Sequence, residues 1–286
     1  MKGIVLAGGT GSRLWPVTWG VSKQLIPIYD KPLVHYPIAT LMLAGIREIL
    51  IISTPQDLDA FKRLLGSGTK YGVQFSFTIQ ERPRGLADAL IVAANFIGSS
   101  KVSLILGDNI FYGSGLGSQL SKLRNVDGAH IFAYKVQDPQ RYGVVEFDSI
   151  GAVLSLEEKP QNPRSSYAIP GLYFYDNEVI DIAKEIKPSQ RGEIEITTVN
   201  QTYLQKQRLH TTILERGTAW LDTGTFESLN SASAFIQIVE ERQGQKISCL
   251  EEVAWRNGWI SDSELLARAD EYKSSPFADY LRSLLA

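Results

Sequence analysis

Between residues 3 and 136, short apolar runs rich in Val and Ile alternate with segments of helical period, and few folds bury that pattern. The runs lie at 3–6, 48–53, 73–79, 102–106 and 129–136. Between the first four, segments at 33–44, 57–65 and 86–96 place apolar residues every three or four positions. Short continuous apolar runs alternating with segments of 3.6-residue period predict strands that alternate with helices. That order folds into a mainly parallel sheet covered on both faces. The run Ile49-Leu50-Ile51-Ile52 is apolar on both sides of its pleat, as double burial requires. The predicted class is α/β, a mostly parallel, Rossmann-like doubly wound sheet. Such sheets take ligands outside the carboxyl ends of their strands, so the residues just after each strand matter most.

From about residue 143 the texture changes. Short alternating runs at 144–147, 153–156 and 171–175 predict a mixed or antiparallel extension of the sheet. Helices are expected at 178–185, 193–204 and 225–241, with a strand at 209–214. Ser261-Asp-Ser-Glu264 is a capping box that starts a tail helix, and Phe277, Tyr280, Leu281 and Leu284 share one face of the last segment. No repeat, low-complexity tract or linker divides the chain. The expected organisation is one catalytic domain over 1–241, split near 136, with a helical extension at 242–286 packed on it.

Lys plus Arg number 29 against 31 Asp plus Glu, so no global basic field advertises nucleic acid or an anionic membrane, and anions must be gripped locally. One cysteine, Cys249, and three scattered histidines exclude a disulfide framework, an iron–sulfur cluster and a Cys/His zinc site. Metal chemistry must therefore run on carboxylates. The opening apolar run is too short for a signal peptide, and residues 38–52 are interrupted by Arg47 and Glu48 before reaching membrane-span length, so a cytoplasmic protein is expected.

The first strand runs into Leu6-Ala-Gly-Gly-Thr-Gly-Ser-Arg-Leu-Trp-Pro16. Gly8, Gly9 and Gly11 let backbone N–H groups approach an anion, and Arg13 can grip phosphate bidentately, although a ligand-free turn explains the glycines alone equally well. No Gly-Lys-Ser/Thr follows to make a Walker A loop, and Leu14 stands where a dinucleotide fingerprint needs its third glycine. Asp108 follows the strand at 102–106 and reads either as a ligand carboxylate or as part of a Gly-Asp-Asn turn. Asp222 reads either as a second carboxylate or as the cap of the helix at Thr225. Together they suit Mg²⁺, which takes one or two carboxylates plus phosphate and water oxygens. Lys23 and Lys159 read as phosphate contacts or as solvated surface lysines.

Residues 6–14 followed by Ser22-Lys-Gln-Leu-Ile-Pro27-Ile-Tyr-Asp-Lys-Pro32 resemble the signature of the sugar-1-phosphate nucleotidylyltransferases, most narrowly the thymidylyltransferase branch acting on glucose 1-phosphate. The resemblance continues through Leu106-Gly-Asp-Asn-Ile-Phe-Tyr-Gly113, Arg141-Tyr-Gly-Val-Val-Glu-Phe-Asp148, Glu157-Glu-Lys-Pro160, Gly171-Leu-Tyr-Phe-Tyr-Asp176, Arg191-Gly-Glu-Ile-Glu-Ile-Thr197 and Trp220-Leu-Asp-Thr-Gly224. It implies Mg²⁺-dependent transfer of a thymidylyl group from dTTP to α-D-glucose 1-phosphate, giving dTDP-glucose and diphosphate at the head of dTDP-rhamnose synthesis. It also implies a homotetramer with feedback inhibition by dTDP-rhamnose.

The resemblance assigns Arg13, Lys23, Lys159 and Asp108 to catalysis, and Asp108 with Asp222 to the metal. Nucleotide contacts are implied for Leu6, Gly8, Gly9, Thr10, Gly11, Ser12, Arg13, Gln24, Gln80, Pro83, Gly85, Leu86, Gly107 and Asp108. Gln80 is expected to offer both a donor and an acceptor to the thymine edge. Sugar-phosphate contacts are implied for Asn109, Tyr142, Gly143, Glu158, Lys159, Ile169, Gly171 and Tyr173. Trp15, Arg84 and Pro170 depart from the pattern, where His, an acidic residue and Thr are expected. The rival readings are a uridylyltransferase, a dinucleotide-dependent oxidoreductase suggested by Asp30 downstream of the glycines, and a non-catalytic binder of sugar nucleotides.

Overall fold

A computed structural model of the chain describes residues 1–9 and 11–286. In chain order the strands are β1 Lys2–Ala7, β2 Pro27–Ile28, β3 Lys31–Pro32, β4 Glu48–Ser53, β5 Gln74–Ile79, β6 Val102–Leu106 and β7 Asn109–Tyr112. They continue as β8 Ala129–Lys135, β9 Gly143–Phe147, β10 Val153–Glu158, β11 Tyr167–Ala168, β12 Leu172–Tyr175, β13 Leu209–Ile213 and β14 Ala219–Asp222. The helices of the first half are α1 His35–Leu43, α2 Leu58–Leu65, α3 Asp88–Val92, α4 Ala94–Ile97 and α5 Leu116–Ser121. Those of the second are α6 Val179–Glu185, α7 Ile196–Gln205, α8 Phe226–Gln243, α9 Leu250–Arg256, α10 Asp262–Glu271 and α11 Pro276–Ser283.

One 10-stranded sheet runs in the order β10-β9-β11-β8-β12-β6-β1-β4-β5, with β13 beside β8. Strands β5, β4, β1 and β6 are mutually parallel, as the alternating pattern predicts. Leu6 lies opposite both Ile52 and Leu106, so the carboxyl ends of the central strands finish level. Alternate residues serve opposite faces. Ile4 and Leu6 join one core with Leu50 and Ile52, and Val5 and Ala7 join the other with Ile49 and Ile51.

Strand β12 runs antiparallel to β6 and β8, and the line of β12 is continued by β11 after a break at Ile169-Pro170-Gly171. Proline has no N–H to give the ladder, which is why the pairing lapses there. Beyond the break β11, β9 and β10 form the antiparallel extension.

The structure departs from the sequence expectations in three places. Residues 86–96 form two short helices, α3 and α4, meeting at Ala93. The helix expected from 193 begins only at Ile196. Glu195, the residue before the helix, is extended, and Ile194 is tied to another segment: its N–H donates to Arg84 O at 2.7 Å and its carbonyl accepts from Ala87 N at 3.1 Å. Third, β7 and β14 pair as a separate two-stranded ribbon that places Asp222 opposite Asn109.

The tail helices α9 to α11 contribute Leu250, Ala254, Leu265, Ala269 and Leu281 to the same core as Val5 and Ile38. Phe277, Tyr280 and Leu284 pack against it, half-buried. The capping box at Ser261 and Glu264 is formed, satisfying both orphan donors. Among the described residues no helix is long and apolar enough to cross a membrane.

Candidate active site

The glycine loop leaves β1 at the level carboxyl ends. Gly9 and Gly11 take φ of 109° and 59°, conformations that favour residues without a Cβ. A short 3₁₀ turn, Ser12–Leu14, follows. Leu14 is buried and its N–H donates to Gly11 O at 2.8 Å, which turns the neighbouring Arg13 outward over a cleft of about 380 Å³. Leu6, Gly8, Gly9, Gly11, Ser12, Arg13, Gln24, Gln80, Pro83, Gly85, Leu86 and Asp108 line this cleft, together with Lys23. Thr10 lies outside the described residues. Gly107 sits behind the wall, its N–H donating to Leu6 O at 2.9 Å. Leu14, Glu193 and Gly224 line the cleft too, beside the residues expected to contact the nucleotide.

Two side chains in the cleft are less free than their types suggest. Gln24 Oε1 accepts from Ser22 Oγ at 2.8 Å. Gln80 Nε2 donates to Asp88 Oδ2 at 2.7 Å, so the expectation that Gln80 offers both ends of its amide needs correcting, since only Oε1 remains. Gly85 must be glycine. Its φ is 109° and a Cβ there would stand 2.5 Å from Ile194 O.

Asp108 stands at the corner between β6 and β7, and Asp222 ends β14 across the ribbon. Lys23 Nζ lies 2.7 Å from Asp108 Oδ2. Burial raises the Asp108 carboxyl, but the Lys23 charge with hydrogen bonds from Lys23 and Asn109 outweighs it and holds the group below the usual carboxylate value. Asp222 Oδ2 lies 3.4 Å from Arg141 Nη2. Thr223 Oγ1 donates to Asp108 O at 3.0 Å and ties the two segments together. The helix after Asp222 is capped by Thr225, whose side chain accepts from Ser228 N, so that duty does not fall to Asp222.

Asn109 is an internal clamp. Its Oδ1 accepts from Gly171 N at 3.0 Å and Trp220 Nε1 at 2.7 Å, while Nδ2 donates to Asp108 Oδ1 at 2.9 Å. Among the described residues no three His, Cys, Asp or Glu side chains converge as a metal cage. Asp108 and Asp222, which face Lys23 and Arg141 and also accept from Asn109 Nδ2 and Gly224 N, still suit Mg²⁺, whose other ligands are phosphate and water oxygens.

The sugar-side residues form a second group around the sheet extension. Glu158 lies opposite Gly143 in the β9–β10 pairing, and Lys159 follows it with φ 44° and its N–H on Tyr142 O at 3.0 Å. Glu158 Oε2 accepts from Thr197 Oγ1 at 2.5 Å, and Oε1 lies 3.7 Å from Arg191 Nη1 and 3.8 Å from Lys159 Nζ. Ile169 N donates to Gly143 O at 2.8 Å. A Cβ on Gly143 would come 3.2 Å from Thr197 Oγ1, and one on Gly171 would meet Leu106 at 2.5 Å, so both glycines permit close packing. Burial, with the charge of Glu158 added, pushes the Tyr173 phenol well up. Tyr142 stands edge-on to Trp220 with ring centroids 5.0 Å apart, its phenol raised by burial and by the Asp222 charge.

Arg191, Thr197, Trp220 and Arg141 belong to this geometry but were not named as site residues. The run Arg191-Gly-Glu-Ile-Glu-Ile-Thr197 carried a signal, but its helical period masks an extended start.

The sequence profile of the family described as nucleotidyl transferase matches residues 2–238. The chain belongs to the nucleotidyl transferase family. Among relatives of this nucleotidyl transferase, a Mycolicibacterium smegmatis protein named glucose-1-phosphate thymidylyltransferase is 58% identical over 285 residues, covering 100% of this chain and 99% of its own. Proteins of the same name from Mycobacterium tuberculosis and Neisseria meningitidis are 56% and 52% identical, again over 100% of this chain and 99% of theirs. A Bacillus anthracis protein assigned the same activity and crystallised with sucrose superposes with a TM-score of 0.76 at 38% identity, covering 82% of this chain and 94% of that one. UDP-glucose pyrophosphorylase in complex with UDP-glucose shares the fold, with a TM-score of 0.74 at 23% identity over 83% of this chain and 98% of that one.

Proposed function

We propose that this nucleotidyl transferase moves a thymidylyl group from dTTP to α-D-glucose 1-phosphate, giving dTDP-α-D-glucose and diphosphate. The observation that carries the reading is full-length identity of 52–58% to three relatives that bear that activity as their name. The site chemistry agrees with it. An ionised oxygen of the sugar phosphate attacks the α-phosphorus, a P–O bond forms, and the bond to the β-phosphate breaks with its electron pair leaving on diphosphate. The nucleophile is already charged at neutral pH, so no general base is needed, and the protein's task is to position polyanions and neutralise them.

Arg13 and Lys23 line the cleft as the cations for the triphosphate. Lys159 and Arg191, both within 4 Å of Glu158, suit the sugar phosphate, and the free lone pairs of Glu158 suit sugar hydroxyls. Mg²⁺, held by Asp108 and Asp222, would supply charge neutralisation at the phosphates when bound. Lys23 holds Asp108 ionised and therefore competent as a ligand.

The same reading takes in a single catalytic unit over 1–241 with the 242–286 helices packed on it. It also takes in a homotetramer, feedback inhibition by dTDP-rhamnose, a place at the head of deoxysugar synthesis, and a cytoplasmic location. Initial rates of diphosphate release with dTTP and UTP at equal concentration test the substrate, and a clear preference for UTP overturns it. Asp108→Asn and Asp222→Asn are each expected to lower turnover by about 10²-fold or more while the fold is retained. Near-normal release from both variants would defeat the metal assignment.

A further inference from the structure

A chain of hydrogen bonds runs from the surface to the nucleotide cleft through Arg84, Asp88 and Gln80. Arg84 Nη2 donates to Asp88 Oδ1 at 2.7 Å, and Gln80 Nε2 donates to Asp88 Oδ2 at 2.7 Å. The Asp88 side chain is only 1% exposed, whereas that of Arg84 is 60% exposed. Arg84 is the hydrogen-bonded cation that offsets the cost of burying this carboxylate.

An ionised carboxylate accepts and never donates, so Gln80 is compelled to turn its amide nitrogen toward Asp88. The remaining N–H of that nitrogen faces Gly85 O at 3.5 Å. The end left for a ligand is Oε1, which lies 3.6 Å from where a Cβ on Gly8 would stand, at the glycine loop. Both Gln80 and Gly8 line the cleft.

We propose that Arg84 and Asp88 are positioning residues that lock Gln80 as a hydrogen-bond acceptor toward the base. The site then selects pyrimidines that carry an imino N–H, thymine and uracil, against cytosine, whose ring N3 is itself an acceptor. Arg84, which departs from the acidic residue expected at its position, is explained by this arrangement. An acid there would set two negative charges against each other four residues apart at the start of α3. The backbone of Arg84 is held separately, its carbonyl accepting from Ile194 N at 2.7 Å, so replacing its side chain spares the corner. The proposal deepens the nucleotidyl-transfer reading above and rests on it.

The test compares kcat/KM for dTTP, UTP and dCTP at saturating glucose 1-phosphate, alongside equilibrium binding of each nucleotide alone. The proteins are wild type, Arg84→Gln, Asp88→Asn, Gln80→Ala and the Arg84→Gln/Gln80→Ala double variant. Wild type is expected to favour dTTP over dCTP by about 10- to 100-fold, the range that two opposed acceptors impose. Asp88→Asn, whose amide can turn either way, is expected to cut that preference about 10-fold through KM, with the dTTP-to-UTP ratio unchanged. Arg84→Gln moves the preference in the same direction and, being a surface change, keeps the test open should Asp88→Asn fold poorly. In the Gln80→Ala background, Arg84→Gln should change the preference no further.

The proposal falls if wild type shows no preference for dTTP over dCTP in rate or binding, or if the variants depress both nucleotides equally. Wild type that fails to turn over dTTP overturns the functional reading instead, and base preference is then decided by the binding arm.

Discussion

Lys23 and Asp108 lie 85 positions apart in sequence and 2.7 Å apart in space, in the wall of one cleft. In the free protein each neutralises the other. On the function proposed above, a triphosphate would compete for Lys23 and a divalent cation for Asp108, so ligand binding would replace one set of ion pairs with another rather than uncover bare charge. Because the Asp108 carboxyl is held below its usual value, its stabilising contribution is present above the ordinary carboxylate range and is lost as pH falls through the folded-state value. Lys23→Met removes the cation and leaves the carboxylate without it. This variant is expected to melt below wild type at pH 7, with a narrower gap at a second, acidic pH below the folded-state value of Asp108, where the carboxyl is protonated in both proteins. Thermal melts at the two pH values check this, and an equal gap at both would refute it.

At the scale of elements, the site is built where regular structure stops. The parallel strands end together and hand their chains to the glycine loop, to Gln80 and to Asp108. The β7–β14 ribbon then brings Asp222 alongside, and α8 starts two residues after Gly224. Thr225 and Ser228 form a reciprocal cap, each side chain serving the other's backbone, which spares Asp222 that duty. Thr225→Ala removes the acceptor for Ser228 N and is expected to cost about 1 kcal/mol, read as a lower denaturant midpoint at unchanged slope. Unaltered stability would mean that the cap contributes nothing to holding this corner.

Across the whole molecule, the segment at 189–195 links the two halves of the site. Ile194 fastens the Arg84–Ala87 corner beside the nucleotide cleft, while Arg191 reaches Glu158 on the sugar side. A shift of this segment would be felt in both places. The tail is equally integrated, since Leu250, Leu265 and Leu281 are fully buried against the core that backs the sheet. Each such side chain is worth about 1.5–3 kcal/mol of burial, so losing the set removes much of a typical domain's stability of about 5–15 kcal/mol. Deletion of residues 249–286 is expected to give insoluble or molten protein rather than merely a smaller assembly. Solubility and near-ultraviolet circular dichroism decide it, and a deletion variant that melts cooperatively would refute the expectation.

Short-range physics was enough to read the α/β alternation, the parallel order of β5, β4, β1 and β6, and the glycine loop. Period, double-sided apolarity and backbone freedom are properties of neighbouring residues. The same reading placed Gln80 and Asp108 just after strands, which is where the sheet opens. What it left open was settled by hydrogen bonds between distant segments. Residues 193–195 carry a helical pattern yet lie outside the helix, where Ile194 pairs with Arg84 and Ala87. Asp222 had two readings, and the Thr225 cap removes one of them, the helix cap. Gln80 looked like a two-sided reader of a base, but a buried carboxylate eight residues on accepts from one side and leaves only an oxygen facing the cleft. Residue type is written in the sequence, but the direction in which an amide or carboxylate points depends on partners that only the tertiary structure brings within hydrogen-bonding distance.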